Sequence, residues 1–273
     1  MIIVNLTSTS SRQDLCAVTV WSLINQNLLP DRIDLWISKE PYLADKGVTN
    51  IPEWVSNINK IANIVNVRYT ENTGPYRKIF PALKTASDED ILIYADDDVV
   101  YGKNWLKELL NHFFENECKY VVASRIRTRT KNIFGKYKSY NLYPISVVKE
   151  DFTDDFIITG VGGCVLMKKH IDLQLVNDTN FLKVAPKTDD LWISKLMVIS
   201  GTKVVSCPKA LPYVQEIQHC NAALNLTNTL SSSNGGILRK LAKKIKFKIL
   251  GYLGVNLSNN DVSIKKIDAY FDK

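Results

Sequence analysis

Three consecutive aspartates, Asp96-Asp97-Asp98, follow the apolar run Ile91-Leu92-Ile93-Tyr94. Adjacent carboxylates repel one another, and keeping them ionised at the end of a buried strand is costly unless positive charge lies beside them. A hard divalent cation bound through oxygen meets that need. Mg2+ or Mn2+ suits such a site, with phosphate oxygens and water completing the shell. On an exposed turn the same triplet would be a solvated acidic bend. The strand before it therefore carries the argument, because a continuous apolar run marks the interior of a parallel sheet. A second acidic pair, Asp189-Asp190, follows Thr188 at the start of a helical pattern. Such a pair can accept a proton in catalysis, or it can simply complement the positive end of a helix.

The elements that must position these carboxylates alternate. Ile2 to Leu6 reads as a buried strand, and Ser10 or Ser11 is placed to cap a helix reaching about Asn27. Asp31 to Ser38 and Ile64 to Tyr69 show period-two alternation, with a short helix from Pro52 between them. Gly74-Pro75-Tyr76-Arg77-Lys78 is a turn leading into a short helix. Asp90 to Ala95 is a strand, Lys103 to Glu115 an amphipathic helix, and Tyr120 to Ser124 a further strand. Gly160-Val161-Gly162-Gly163 precedes a strand, Cys164 to Met167. Pro186 to Ser200 reads as a helix with Thr188 as its cap, and Thr202 to Ser206 as a strand. This alternation predicts an α/β fold with a mainly parallel central sheet and helices on both faces. Ligands then sit outside the carboxyl ends of the strands, where the aspartates fall.

The 273 residues and net charge of +7 fit one large domain with an appendage. Six of the positive charges lie between Arg239 and Lys248, in a stretch where Ile237, Leu238, Leu241, Ile245, Ile249 and Leu250 recur near helical spacing. A basic amphipathic helix over 237–250 can lie on an anionic membrane surface or pack on the domain with solvated lysines. Ser231 to Gly236 reads as a joint before it, and Val262 to Phe271 as a final helix. The expected division is 1–228 and 229–273. The start of the chain has no secretory character and no run is long enough to span a bilayer, so the expected location is cytoplasmic, peripheral at most. The five cysteines, odd in number and without CxxC spacing, read as reduced thiols. No zinc spacing, RNP-like string or helix-turn-helix accompanies the basic residues, so no nucleic-acid partner is expected.

Taken in order, Leu6-Thr7-Ser8-Thr9 with Arg12, Gly74 to Lys78, Ile93-Tyr94-Ala95-Asp96-Asp97-Asp98-Val99, Gly160 to Gly163 and Asp189-Asp190-Leu191-Trp192 resemble a group of bacterial family-2-like glycosyltransferases with the A-type (DxD), Rossmann-like fold. The likeness covers about residues 1–228 and extends to 255–272, skipping the basic segment between them. It implies transfer of a hexose from a nucleotide sugar, such as a UDP-hexose, to a saccharide or lipid-linked saccharide acceptor. Inversion at the anomeric carbon, and a destination in surface polysaccharide or lipopolysaccharide, are further implications. On this resemblance, Thr7, Ser8, Thr9, Arg12, Lys78, Asp96 and Asp97 bind the donor. Asp98 and Asp96 hold Mn2+ or Mg2+, Asp190 and Asp189 supply the general base, and Gly162, Gly163 and Arg127 face the acceptor. Arg125 and Arg129 are further candidates for the site. His219, after the last strand, could return to the site as an extra metal ligand but reads as a surface or packing histidine. A nucleotidyltransferase on a related sheet also wants a metal and an acidic cluster. A membrane-associated saccharide-binding module without turnover is the non-enzymatic alternative.

Overall fold

The computed structural model describes residues 1–218 and 237–272, with the side chains of the helix Ile237–Tyr252 described from Ile245 onward. His219, Cys220, the joint 231–236 and the boundary at 228 lie outside the described residues. The strands are β1 (Ile2–Thr7), β2 (Arg32–Ile37), β3 (Val65–Tyr69), β4 (Ile91–Tyr94), β5 (Val99–Tyr101), β6 (Val121–Ala123), β7 (Ile126–Thr128), β8 (Asp151–Phe152), β9 (Phe156–Ile158), β10 (Cys164–Leu166), β11 (Val204–Ser206) and β12 (Val214–Glu216). The helices are α1 (Gln13–Leu23), α2 (Glu53–Asn59), α3 (Phe80–Thr85), α4 (Trp105–Glu115), α5 (Leu173–Asn177), α6 (Phe181–Val184) and α7 (Asp189–Ile199). A basic helix, Ile237–Tyr252, and a last helix, Asn259–Phe271, complete the described elements.

The central sheet runs β3-β2-β1-β4-β10-β6-β11-β8. Pairing is parallel for β3–β2, β2–β1, β1–β4 and β6–β11. The departures are β10, antiparallel to both β4 and β6, and β8, antiparallel to β11. The apolar run of β4 is continuous because both of its faces are covered. Leu92 and Tyr94 face one core with α3, α6, α7 and Ile264 and Ile267 of the last helix. Ile93 and Ala95 face the other core with α1, α2 and α4. Asn5, buried in the middle of β1, is satisfied by accepting the indole N–H of Trp36 at 3.0 Å.

Two capping expectations are corrected. The turn preceding α1 is not capped by Ser10 or Ser11: α1 begins at Gln13 with no side-chain cap, and the Ser10 hydroxyl accepts the Lys46 N–H at 3.1 Å instead. Thr188 occupies the cap position of α7, but its hydroxyl makes no cap hydrogen bond. Among the described residues no helix is long and apolar enough to cross a membrane.

Candidate active site

Because β1 to β4 are parallel, the loops that leave their carboxyl ends share one edge of the sheet. Those loops line a single cleft of about 800 Å3. Thr7 to Arg12 follow β1, Tyr42 to Asp45 follow β2, Gly74 to Lys78 follow β3, and Ala95 to Asp98 follow β4. Arg125 and Arg127 come from beyond β6, and Thr159 and Val161 precede the antiparallel β10, whose start lies at this same edge. The far wall is Lys187 to Leu191, at the start of α7, with Tyr140, Asn141 and Asn260. Thr7, Ser8, Thr9, Arg12, Lys78, Asp96, Asp97, Asp98, Arg127, Asp189 and Asp190 all come together here.

Besides Asp45 and Glu216 at its floor and rim, five carboxylates converge in the cleft, Asp96, Asp97, Asp98, Asp189 and Asp190, and Arg12 and Lys78 are the cations in contact with them. One guanidinium nitrogen of Arg12 lies 2.6 Å from Asp97 and 2.7 Å from Asp98. The Lys78 ammonium lies 2.8 Å from Asp96, 2.7 Å from Asp189 and 3.3 Å from Asp190. The acidic triplet is therefore not left to a metal alone. Arg12 and Lys78, expected to reach outward to a ligand, are turned onto the carboxylates. Burial alone would discharge Lys78, but Asp189, Asp190 and Asp96 outweigh it and hold its pKa well above the ordinary lysine value. With Asp45 paired to Arg77 and Glu216 to Arg125, these five carboxylates face Arg12, Lys78, Arg127 and Lys187 across the cleft, a slight acidic excess. Burial pushes Asp97 up to about 6 against the pull of Arg12, with Asp98 and Asp96 adding repulsion. Burial pushes Asp190 up to about 7; Lys78 opposes this, and Asp189 and Asp96 reinforce it. Its Oδ1 also accepts the Gly160 N–H at 3.1 Å.

The donor set suits a hard cation. Asp96 and Asp98 keep 28% and 27% of their side chains exposed toward the cleft, and the buried Asp97 Oδ2 has no hydrogen-bond partner among the described residues. Among those residues no three His, Cys, Asp or Glu side chains converge on one metal position. This chain would thus contribute one or two carboxylates, with ligand phosphates and water supplying the rest, as Mg2+-type sites commonly require.

Gly162 and Gly163, expected to face an acceptor, are not among the residues lining the cleft. A Cβ on Gly162 would lie 2.6 Å from the Ser124 hydroxyl and 2.5 Å from Arg125 Cβ. On Gly163, where φ is +81°, it would lie 2.2 Å from the Trp105 ring. Their smallness serves packing. Trp105 and Ser124 both donate to the Gly162 carbonyl, at 2.8 and 2.6 Å. The glycine that opens onto the site is Gly160, whose Cβ would fall 2.3 Å from Lys78 Nζ and 2.6 Å from Asp96. Arg129 also turns away, pairing with Asp268 at 2.8 Å. Arg125 pairs with Glu216 at the cleft rim, at 2.6 Å.

Sequence reasoning missed Asp45 and Arg77. The Arg77 side chain is 1% exposed. It donates to Asp45 at 3.0 Å, to the Ser8 carbonyl at 3.2 Å and to the Gly74 carbonyl at 3.2 Å. Asp45 also accepts the N–H groups of Ser10 and Gly47, at 2.9 and 3.0 Å. The pair stitches the loops after β1, β2 and β3 into one floor. Tyr101 is a second bolt: its hydroxyl accepts the Asp96 N–H and donates to the Val161 carbonyl, both at 3.2 Å.

A Rossmann-like sheet of this order, with an acidic, cation-bearing cleft at the carboxyl edge, defines the class of A-type glycosyltransferases. The model of the family described as glycosyl transferase family 2 matches residues 9–175, more than half the chain, and the chain belongs to that family. Among solved structures it is similar to "Crystal structure of GalNAc-T7 with UDP, GalNAc and Mn2+", with a TM-score of 0.52 and 13% identity over 93% of this chain. The alignment takes in 50% of that chain, so this protein spans about half its length. No curated protein matches the chain.

Proposed function

We propose that this family 2 enzyme transfers a hexosyl group from a nucleoside diphosphate sugar, UDP-linked for preference, to a saccharide acceptor in surface polysaccharide or lipopolysaccharide synthesis. The observation that carries the reading is the convergence of Asp96, Asp98, Lys78 and Asp190 in one cleft. The similar structure contains UDP and Mn2+, which supports the same donor and metal here. In this proposal residues 1–228 form the catalytic unit and 229–273 the appendage.

Asp98 and Asp96 would hold Mn2+ or Mg2+. Such an ion supplies Lewis-acid stabilisation of the charge on a departing diphosphate. Thr7, Ser8 and Thr9, at the end of β1, offer polar groups to a base and ribose. Arg12, now on Asp97 and Asp98, is within reach of any anion entering beside them. Lys78 fixes Asp96 against Asp190 and so sets the distance between the donor and base sides of the cleft. Asp190 accepts the proton of the attacking acceptor hydroxyl. A pKa of about 7 suits that task, since a general base works best when poised near the operating pH. Gly160, Arg127 and Tyr140 form the wall an acceptor would meet. One displacement at the anomeric carbon, with the base on the acceptor side, inverts its configuration.

The test is a panel of nucleotide sugars with soluble saccharide acceptors and Mn2+, read as nucleoside diphosphate released. Release that needs the metal and disappears in Asp98→Asn and Asp190→Asn supports the reading. Pyrophosphate as the product, or no turnover of any donor, refutes it.

A further inference from the structure

Two basic stretches without a single acid meet on one surface. Residues 118–149 and 217–260 contain no Asp or Glu. The first includes a tight turn, Asn132 to Gly135, in which the Asn132 side chain accepts the N–H groups of Phe134 and Lys136 at 2.9 and 3.1 Å. Gly135 completes it at a φ of +74°. This built turn does not fold its apolar side chains inward. Ile133 is 82% exposed and Phe134 68%.

The second stretch supplies the basic helix, and its end is fastened to that turn. Asn132 donates to the Tyr252 carbonyl at 2.8 Å, and Ser139 N–H donates to the Gly251 carbonyl at 2.8 Å. The Ile133 N–H reaches the Tyr252 hydroxyl at 3.4 Å, and Lys138 lies over the Tyr252 ring. On the helix, Ile245 and Ile249 are 52% and 56% exposed, and Leu253 just beyond it is 45% exposed. Spacings of four and seven put Ile245, Ile249 and Tyr252 in one stripe. Through Tyr252 that stripe runs into Ile133 and Phe134. Lys131, Lys136, Lys246 and Lys248, all exposed, flank the apolar line.

We infer that the hairpin tip Ile133-Phe134 and the exposed stripe of the basic helix form one docking surface for an anionic lipid bilayer. The occupant follows from charge and shape. A solvated lysine face explains the cations and leaves the aromatic tip unexplained, whereas a bilayer interface takes up both. The surface adjoins the acceptor wall, since the chain goes straight from the hairpin to Tyr140 and Asn141 of the cleft. The docked enzyme would therefore present its cleft to a lipid-linked acceptor. That last clause rests on the transferase reading; the docking itself is measured without sugar.

Full-length protein is sedimented with vesicles of phosphatidylcholine alone, or of three parts phosphatidylcholine to one part phosphatidylglycerol, at low and high salt. Binding to the anionic vesicles that weakens at high salt is expected. Ile133→Ser with Phe134→Ser should lower partitioning roughly ten-fold or more while leaving the melting temperature unchanged. Lys246→Ala with Lys248→Ala should do so about ten-fold. Ile61→Ser, removing an isoleucine 66% exposed outside this surface, should change little. Unchanged binding by the hairpin variant, or an equal loss in Ile61→Ser, overturns the inference. So does a wild-type mass twice that of the hairpin variant by light scattering, which would make the surface a contact between two copies. If docking fails while metal-dependent turnover of soluble substrates persists, only this inference falls. If docking holds and no donor is turned over, only the transferase reading falls.

Discussion

Replacing Asp190 by asparagine keeps its shape and removes its charge, and the consequence can be worked out from the site. Burial raises the folded pKa of Asp190 to about 7 from an ordinary 3.8, with Lys78 pulling down and Asp189 and Asp96 pushing up. An acid whose pKa is raised on folding binds its proton more tightly in the folded state. Its stabilising effect is complete below about pH 4 and is lost as the pH climbs through about 7. At about 1.4 kcal/mol for each tenfold change, the full penalty above pH 7 is about 4 kcal/mol. The side chain is 28% exposed, and solvent screening reduces the figure to about 2 kcal/mol. For a chain of this size that corresponds to roughly 4–8 °C in melting temperature. Asp190→Asn should therefore melt about that much higher at pH 8, by roughly a third as much at pH 5, and no higher near pH 4. Thermal melts in EDTA, without donor, measure this. With Asp190 as the proposed base, the same variant should also lose transfer activity, a trade between stability and function. A melting difference independent of pH, or a variant less stable at pH 8, would refute the account of Asp190.

Lys78→Met leaves Asp96, Asp189 and Asp190 without their shared cation; urea unfolding at pH 8 should show a loss of about 3–5 kcal/mol. Adding Asp190→Asn to that variant should recover part of the loss, and the coupling in the double-mutant cycle should exceed about 0.5 kcal/mol. Asp45→Ala strands the Arg77 guanidinium under the cleft floor. A cost of about 3 kcal/mol, together with faster limited proteolysis in the loop 38–48, is expected. Asp98→Asn should weaken Mn2+ binding by about ten-fold or more in calorimetric titrations with UDP present, because the chain offers so few ligands of its own.

Much of the fold is visible along the chain because both faces of the sheet are covered. β4 reads as an unbroken apolar run, and the structure sends Leu92 and Tyr94 one way and Ile93 the other. That pattern locates a central strand and, by its end, the acidic edge. It is blind to direction: Cys164 to Leu166 looks the same whether it runs with β4 or against it, and it runs against. The acidic triplet was legible for a related reason, since three adjacent carboxylates need compensation wherever the chain goes. Its partners were not. Arg12 and Lys78 stand on different loops from the aspartates, and nothing in their own neighbourhoods marks them as internal counter-ions rather than groups reaching for phosphate. Arg77 and Asp45, each an ordinary charge in sequence, become a buried pair only when three loops meet.

The glycines show the same limit from the opposite side. A glycine records that a Cβ is unwelcome, but not which neighbour excludes it. At Gly163 the neighbour is Trp105, and at Gly160 it is Lys78 and Asp96. Residue type therefore states a local requirement, for charge compensation or for space, and topology decides what meets it. Here the parallel order β3-β2-β1-β4 gathers four loops at one edge, and the reversed β10 brings the 159–163 turn back to that edge. Gly160 then offers its N–H to Asp190, whose basicity is set by burial beside Lys78. A larger side chain at Gly160 would have to displace that ammonium. The glycine is thus part of the electrostatics of the site as much as of its shape.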